Sequence, residues 1–324
     1  MIFIKKISSF ILKKPSLFLF LFIVIFTSDR YHRWASWISE EQGPFYYDIA
    51  EYYYFLPATF INHSFSADKN KDAPAPSTYN ISRRTIGMAV MYSPFFFISN
   101  QVAKTYGYLQ DGYSLPYKWG IHWGSIIYSI LGLWFCRKNL LLFFNETVTC
   151  ISLICVFFGT NLFFYTYGCG EMPHCYLFFL YSVFIFFSLK WILKDSTKHL
   201  YFLAIILGLI TLIRPTDILV ALFIPLFKVS SLRDLSERFK FIIHKPVALL
   251  ISFVLFSFPL IIQMLIWKKN IGHYFVDMYS DEHFFFSDPQ LLNILFSFRK
   301  GWLLYTPMMV FSLIGLFIAK FRLK

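Results

Sequence analysis

The sequence predicts an all-α polytopic membrane protein with about eight transmembrane helices and a large outer loop that holds interfacial helices. Three observations predict it. Of the 324 residues, 57% are hydrophobic and 15% charged, whereas a soluble domain carries about 25% charged residues. Apolar runs recur along the whole chain, many close to the ~20 residues with which a helix crosses a bilayer. Lysine and arginine gather in the segments between alternate runs, the pattern of cytoplasmic loops. The chain therefore reads as one membrane domain over 1–324, because so apolar a surface needs lipid around it.

The first run, 12–28, follows lysines and leads into "TSDRYHRW" rather than a small-residue cleavage site. It predicts an uncleaved signal anchor. The next 29–118 form the outer loop. Within it, "YDIAEYYYFLPATFI" and "GMAVMYSPFFFISNQVAKTYGYL" have mixed apolar and polar faces and predict interfacial helices lying along the membrane. The polar, proline-containing "SADKNKDAPAPSTYNIS" between them predicts a loop. Spans then follow at 119–136, 147–166 and 174–192. The runs 199–213 and 216–228 are short and separated only by "RPTD". They are either two tilted spans or one broken helix that does not fully cross. A span at 246–267, a second outer loop at 268–300 and a last span at 301–319 complete the chain.

Charge orients these spans. With the N-terminus inside, the inner segments hold 17 of the 30 Lys and Arg but only 4 of the 18 acids. The net charge of +12 thus belongs to a cytoplasmic face toward anionic lipid, and nucleic acid is not needed as a partner to explain it. The odd total of five cysteines argues against a disulfide framework; Cys169 and Cys175 alone flank one short loop.

No nucleotide loop, zinc-protease motif or serine-hydrolase elbow is present. What remains is a set of charged side chains at the outer face. Asp48 and Glu51 are three apart, hence on one helix face. A carboxylate set among so many aromatics is expected to be partly desolvated and suited to act as a base; the plainer alternative is a solvated strip. Glu171 and His174 stand in "YGCGEMPHCY", where a structural histidine is as natural as a catalytic one. Arg214 and Asp217 form the tip of "LIRPTDIL". An arginine there either snorkels or grips a phosphate with paired hydrogen bonds. Glu282, His283, Arg299 and Lys300 belong to the last outer loop; the last two either anchor the following span at the interface or contact anionic lipid. Coming from separate turns on one face, these groups are expected to share a cavity.

Six segments occur in order: "YYDIAEYYYFLPATFI", "YSPFFFISNQVA", "DGYSLPYK", "MPHCYLFFL", "LGLITLIRPTDILV" and "LFSFRKGWLLYTPMM". Together, from about Asp48 to Pro307, they resemble bacterial membrane glycosyltransferases of the GT-C fold, related to protein O-mannosyltransferases and the lipid A aminoarabinose transferase. The resemblance implies a multi-pass enzyme of the bacterial inner membrane that moves a hexosyl or pentosyl group from a polyprenyl-phosphate donor. The acceptor would be a glycan, a lipid or a protein. The family's acidic residue in the first outer loop matches Asp48. Arg214, Arg299 and Lys300 are the available matches for binding the donor phosphate. Some relatives add a second acid or a divalent metal. Glu51 lies three residues on rather than adjacent, which departs from a paired-acid motif.

The chemistry of the residues agrees with that implication. A lipid-phosphate sugar needs its departing phosphate neutralised, which Arg and Lys do, and its acceptor hydroxyl deprotonated, which Asp48, Glu51 or His174 can do. Attack opposite the leaving phosphate inverts the anomeric carbon. Tyr47 and its neighbours offer flat faces to a sugar, and Glu171, Asp217, Glu282 and His283 complete the expected substrate cavity. Two other readings use the same sequence. A flippase of a lipid-linked sugar would keep the basic cavity without a base. A truncated, non-catalytic membrane subunit would not need the outer charges to converge.

Overall fold

The computed structural model describes residues 13–34, 38, 43–65, 84–277, 287–299 and 301–322. Among these residues every regular element is a helix. In chain order they are α1 (Pro15–Trp34), α2 (Tyr47–Tyr53), α3 (Phe55–Phe60), α4 (Gly87–Tyr106), α5 (Leu115–Leu140), α6 (Glu146–Phe158), α7 (Leu162–Tyr167), α8 (Pro173–Lys194) and α9 (Thr197–Ile213). A 3-10 helix, Pro215–Leu222, follows, then α10 (Phe223–Leu226), α11 (Leu232–Ile243), α12 (Pro246–Ile271), α13 (Leu291–Phe296), α14 (Trp302–Tyr305) and α15 (Met308–Arg322).

Local chemistry sets the boundaries. Proline opens α8 and α12, where its missing N–H costs nothing and its fixed φ suits the first turn. The Asn145 side chain accepts from the Val148 N–H at 3.0 Å and caps α6. Gly272 closes α12 at φ 90°, a conformation open to glycine.

Two predicted elements differ from expectation. The run 147–166 is broken into α6 and α7, because Gly159 and Asn161 are poor helix formers and Gly159 sits against the Met308 side chain. The last run is likewise interrupted at Thr306–Pro307, where proline cannot continue the ladder of α14. The segment expected as a second interfacial helix is a single long helix, α4, which packs antiparallel along the first half of α5. Asn100 meets Tyr117 at 2.5 Å and the Met91 carbonyl meets the Tyr128 hydroxyl at 3.3 Å. Its buried stripe is Met88, Tyr92, Phe96, Ser99 and Ala103, spaced by three and four. Gly120 and Gly124 of α5 let Ser99 and Phe95 approach closely.

The remaining contacts give the bundle two ends. Helices α5 and α8 run parallel, from His122 beside Glu171 to the Asn139 amide on the Ser182 carbonyl at 2.8 Å. Helices α1 and α6 also run parallel, from Ser16 on Glu146 to Phe26 near Phe158 at 6.2 Å. Helix α9 returns antiparallel to α8, with Phe202 on Phe187 at 4.6 Å, and α12 packs parallel to α9 where Gly208 meets Phe256 and Pro259. One end therefore carries Arg137, Lys194, Asp195 and Lys245; the other carries His122, Glu171, His174 and Arg214.

The question of 199–228 is answered by its neighbours. Arg214 lies at the second end, while Phe227 lies at the basic end, beside Phe143 at 5.9 Å and under Arg238, which donates to its carbonyl at 3.3 Å. The chain thus turns at Arg214 and returns along the bundle. A 3-10 helix rises about 2.0 Å per residue against 1.5 Å for an α-helix, so Pro215–Leu222 reaches about a third farther than the same residues would as an α-helix.

Among the described residues two helices, α8 and α12, are long and apolar enough to cross a membrane. Helix α12 leaves Leu250, Phe253, Val254, Phe258, Ile261 and Leu265 exposed, whereas the core helix of a soluble protein would bury such a row.

Candidate functional site

Helix α2 brings the first group together. Its inward side chains, Ile49, Ala50, Tyr52 and Tyr53, are buried. Tyr53 stacks on Phe45 at 4.4 Å and donates to the Gly112 carbonyl at 2.5 Å, which fixes the helix to the loop before α5. Asp48 and Glu51 consequently share the other side, as their spacing requires. Both meet Arg84. Its Nη2 is 2.5 Å from Asp48 Oδ1, its Nε is 3.2 Å from Glu51 Oε2, and its guanidinium lies 5.5 Å from the centre of the Tyr52 ring. Burial opposes the guanidinium charge, but the hydrogen bond to Asp48 and the nearby Tyr52, Asp48 and Glu51 outweigh it and push its pKa up. The expected desolvation of Asp48 is corrected. Its side chain is 44% exposed and Glu51 only 12%. Tyr47, at the same turn, is exposed.

A second group is fully buried. His122 Nδ1 of α5 lies 2.5 Å from Oε1 of Glu171, which precedes α8. The side chains are 1% and 0% exposed. Tyr92 of α4 donates its hydroxyl to the Glu171 carbonyl. Glu171 Oε2 is buried without a hydrogen-bond partner among the described residues. Tyr46 reaches this group through Cys169, 3.9 Å from its hydroxyl. Burial, then the charges of Cys169 and Glu171, push the Tyr46 hydroxyl up, so it remains protonated.

The third group lies at the α9 turn. His174 stacks on Tyr165 with ring centres 3.8 Å apart. Arg214 and Asp217 are both close enough to act on His174 electrostatically, and Asp217 also lies near Tyr181. Asp217 Oδ2 is buried without a hydrogen-bond partner among the described residues.

The start of α4 joins the first group to the third. The Thr85 hydroxyl donates to the Leu212 carbonyl, the Ile86 N–H donates to Gln263 Oε1 at 2.8 Å, and Gly87 lies against the Ile213 backbone, where an added Cβ would stand 2.7 Å from nitrogen. Arg84 is three residues from that contact and Arg214 is next to Ile213. Tyr92, 6.2 Å from Tyr53, joins the first group to the second.

The structure therefore gathers Asp48, Glu51, Glu171, His174, Arg214 and Asp217 at one end of the bundle. Arg299 is not brought in; it is exposed and has no hydrogen bond or ion pair among the described residues. Lys300, Glu282 and His283 lie outside the described residues. No described trio of His, Cys, Asp or Glu is placed to hold a metal ion. All five cysteines are free, Cys169 and Cys175 included. A cavity of about 530 Å³ lies between α4 and α5, lined by Ile98, Val102, Tyr106, Trp119 and Trp123.

Sequence reasoning missed Arg84 and His122. The signal for Arg84 was "SRRTIG", an arginine pair on the outer side, against the inward bias of the other basic residues. His122, alone in "KWGIHWGSI", gives no local sign of its partner. In comparisons with known proteins, no family model, curated protein or solved structure matches the chain.

Proposed function

We propose that the protein is an inverting glycosyltransferase of the GT-C type, a multi-pass protein of the bacterial plasma membrane with its N-terminus in the cytoplasm. It moves a sugar from a polyprenyl-phosphate donor to an acceptor at the outer face. The observation that carries this reading is that Asp48, Glu51 and Arg84 lie at the same end of the bundle as His174, Arg214 and Asp217, linked to them through the hydrogen bond from Thr85 to the Leu212 carbonyl, opposite the basic loops. A decayed subunit has no need of such an arrangement.

On this reading the acceptor oxygen attacks the anomeric carbon as the bond from that carbon to the phosphate oxygen breaks. The acceptor proton passes to Asp48, which is the more exposed carboxylate and so the one an acceptor reaches. Arg214 faces the departing phosphate and offsets its growing charge. Arg84 is the further cation in reach. A phosphate that draws it from Asp48 would leave that carboxylate free to take the proton. Glu171, buried on His122, holds the loop before α8 and with it His174.

The test is sugar transfer by purified protein in lipid, with a panel of polyprenyl-phosphate sugars, for the wild type and Asp48→Asn. Transfer by the wild type and a loss of at least about 100-fold in the variant, with donor binding kept, is expected. Equal activity in the two proteins removes Asp48 as the base. Donor movement across the bilayer without transfer favours the flippase.

A further inference from the structure

We infer that α11 is a lipid-reading helix, an amphipathic segment at the basic end that seats its free apolar ridge in an anionic membrane surface. Leu232, Phe239 and Ile243 are spaced by seven and four, so they form one line along the helix. They are 86%, 49% and 60% exposed. The opposite side is already used. Phe241 packs on Trp191 at 5.3 Å and Arg238 holds the Phe227 carbonyl. The ridge is thus a second apolar face, turned away from the bundle that anchors the helix.

The helix is built to exist before it meets a surface. Ser231 accepts from the Asp234 N–H at 3.1 Å, and Asp234 accepts from the Ser231 N–H at 3.0 Å, a complete capping box. At the other end His244 and Lys245 both meet Asp195, at 3.0 and 2.6 Å. Orientation and position are therefore fixed relative to α8 and α12.

Charge names the occupant. Arg233 and Lys240 are also seven apart, one line beside the ridge, and both are exposed. The segment 228–245 holds five basic and two acidic residues. Of those acids, Asp234 is engaged in the cap and Glu237 pairs with Arg233 at 3.1 Å. An apolar ridge flanked by cations fits anionic headgroups above acyl chains. Helix α12, which begins one residue after Lys245, leaves Val247 and Leu250 of its first turns exposed as well. A soluble protein partner is the competing occupant.

The inference rests on the membrane-embedded reading of the bundle, and one experiment separates the two. Full-length protein is placed in nanodiscs of phosphatidylcholine alone or with about 30% phosphatidylglycerol, and amide hydrogen exchange is followed at 232–243 and at 246–271. Slow exchange of α12 in both discs reports insertion. Exchange of α11 about tenfold slower in the anionic disc, with the difference lost at high salt, is expected. Phe239→Asp should abolish the slowing. The pair Arg233→Glu and Lys240→Glu should remove only its dependence on anionic lipid. Equal exchange of α11 in both discs, or protection that comes only with a soluble protein fraction, overturns the inference. Fast exchange in α12 overturns the membrane reading itself.

Discussion

Arg84 is the residue on which the first group turns. It touches both carboxylates of α2 at once, through two different nitrogens. Asp48 is too exposed for that pairing to be worth much to the fold; a pair of this kind contributes about 0–1 kcal/mol. Its value lies in where it puts the charges. Glu51 is only 12% exposed, so Arg84→Ala, which removes a charged partner from that mostly buried carboxylate, is expected to cost about 1–3 kcal/mol of stability and to lower transfer by about 100-fold or more. Arg84→Lys should recover only part, since an ammonium cannot reach two carboxylates as a fork does. A transfer assay beside a melting curve reads both; a large stability loss with unchanged transfer would make Arg84 structural. The same group shows what local sequence carries and what it does not. The shared face of Asp48 and Glu51 follows from helical spacing alone. Their relative burial does not, because it depends on how Tyr53 packs on Phe45 and Tyr113. The partners Arg84 and His122 are 36 and 49 residues from Asp48 and Glu171, and no local pattern spans such gaps.

Among elements, the long apolar runs were legible and their interruptions were not. Hydropathy marks 147–166 and 301–319 as continuous, yet the first breaks where Gly159 meets the Met308 side chain and the second at Pro307. Helix α4 read as interfacial because its exposed Phe97, Ile98 and Val102 mix with polar residues; only the packing on Gly120 and Gly124 reveals it as the partner of α5. At the basic end, the corner between α8 and α9 depends on Asp195. This residue closes α8 at φ 47° and receives Lys245 Nζ on both its carboxylate and its carbonyl. The Lys245 hydrogen bond, opposed by some desolvation and aided by His244, holds its carboxyl below the usual value. A carboxyl depressed in the folded state stabilises fully above its unfolded pKa, and that stability is lost as pH falls through the folded one. The α8–α9 corner should therefore loosen below about pH 4. Asp195→Asn should be less stable than the wild type at neutral pH and equal to it in acid. Melting curves from pH 3 to 7 check this; parallel curves for the two proteins would remove Asp195 from the acid response.

At the scale of the whole molecule, the contacts make a polar bundle whose two ends differ in kind. One end gathers Arg137 with Glu146 and Ser16, and Asp195 with Lys245 and His244. The other gathers Asp48, Arg84, Glu171 and Arg214. Between them lies an apolar girdle, exposed on α12, α9 and α15. The charge count had already separated the ends, because the positive-inside bias is a property of loop composition and needs no contacts. What the sequence lacked was the course of the chain after Arg214, where Phe227 returns to the basic end beside Phe143. Labelling with a membrane-impermeant thiol reagent tests the arrangement in cells. Cysteines replace Tyr47, at the site end, and Lys198, at the basic end, in a protein whose Cys136, Cys150, Cys155 and Cys169 are serine so that the partly exposed native thiols give no signal. Tyr47→Cys is expected to label in intact cells, and Lys198→Cys only after the membrane is opened. Labelling of both in intact cells would mean that α8 does not cross, and α8 is the helix that joins His174 to Lys194. Labelling of Lys198→Cys alone would turn the protein over. The carboxylates and arginines would then face the cytoplasm, where donors are soluble nucleotide sugars as well as lipid phosphates, and the absence of a nucleotide loop would weigh against a soluble donor.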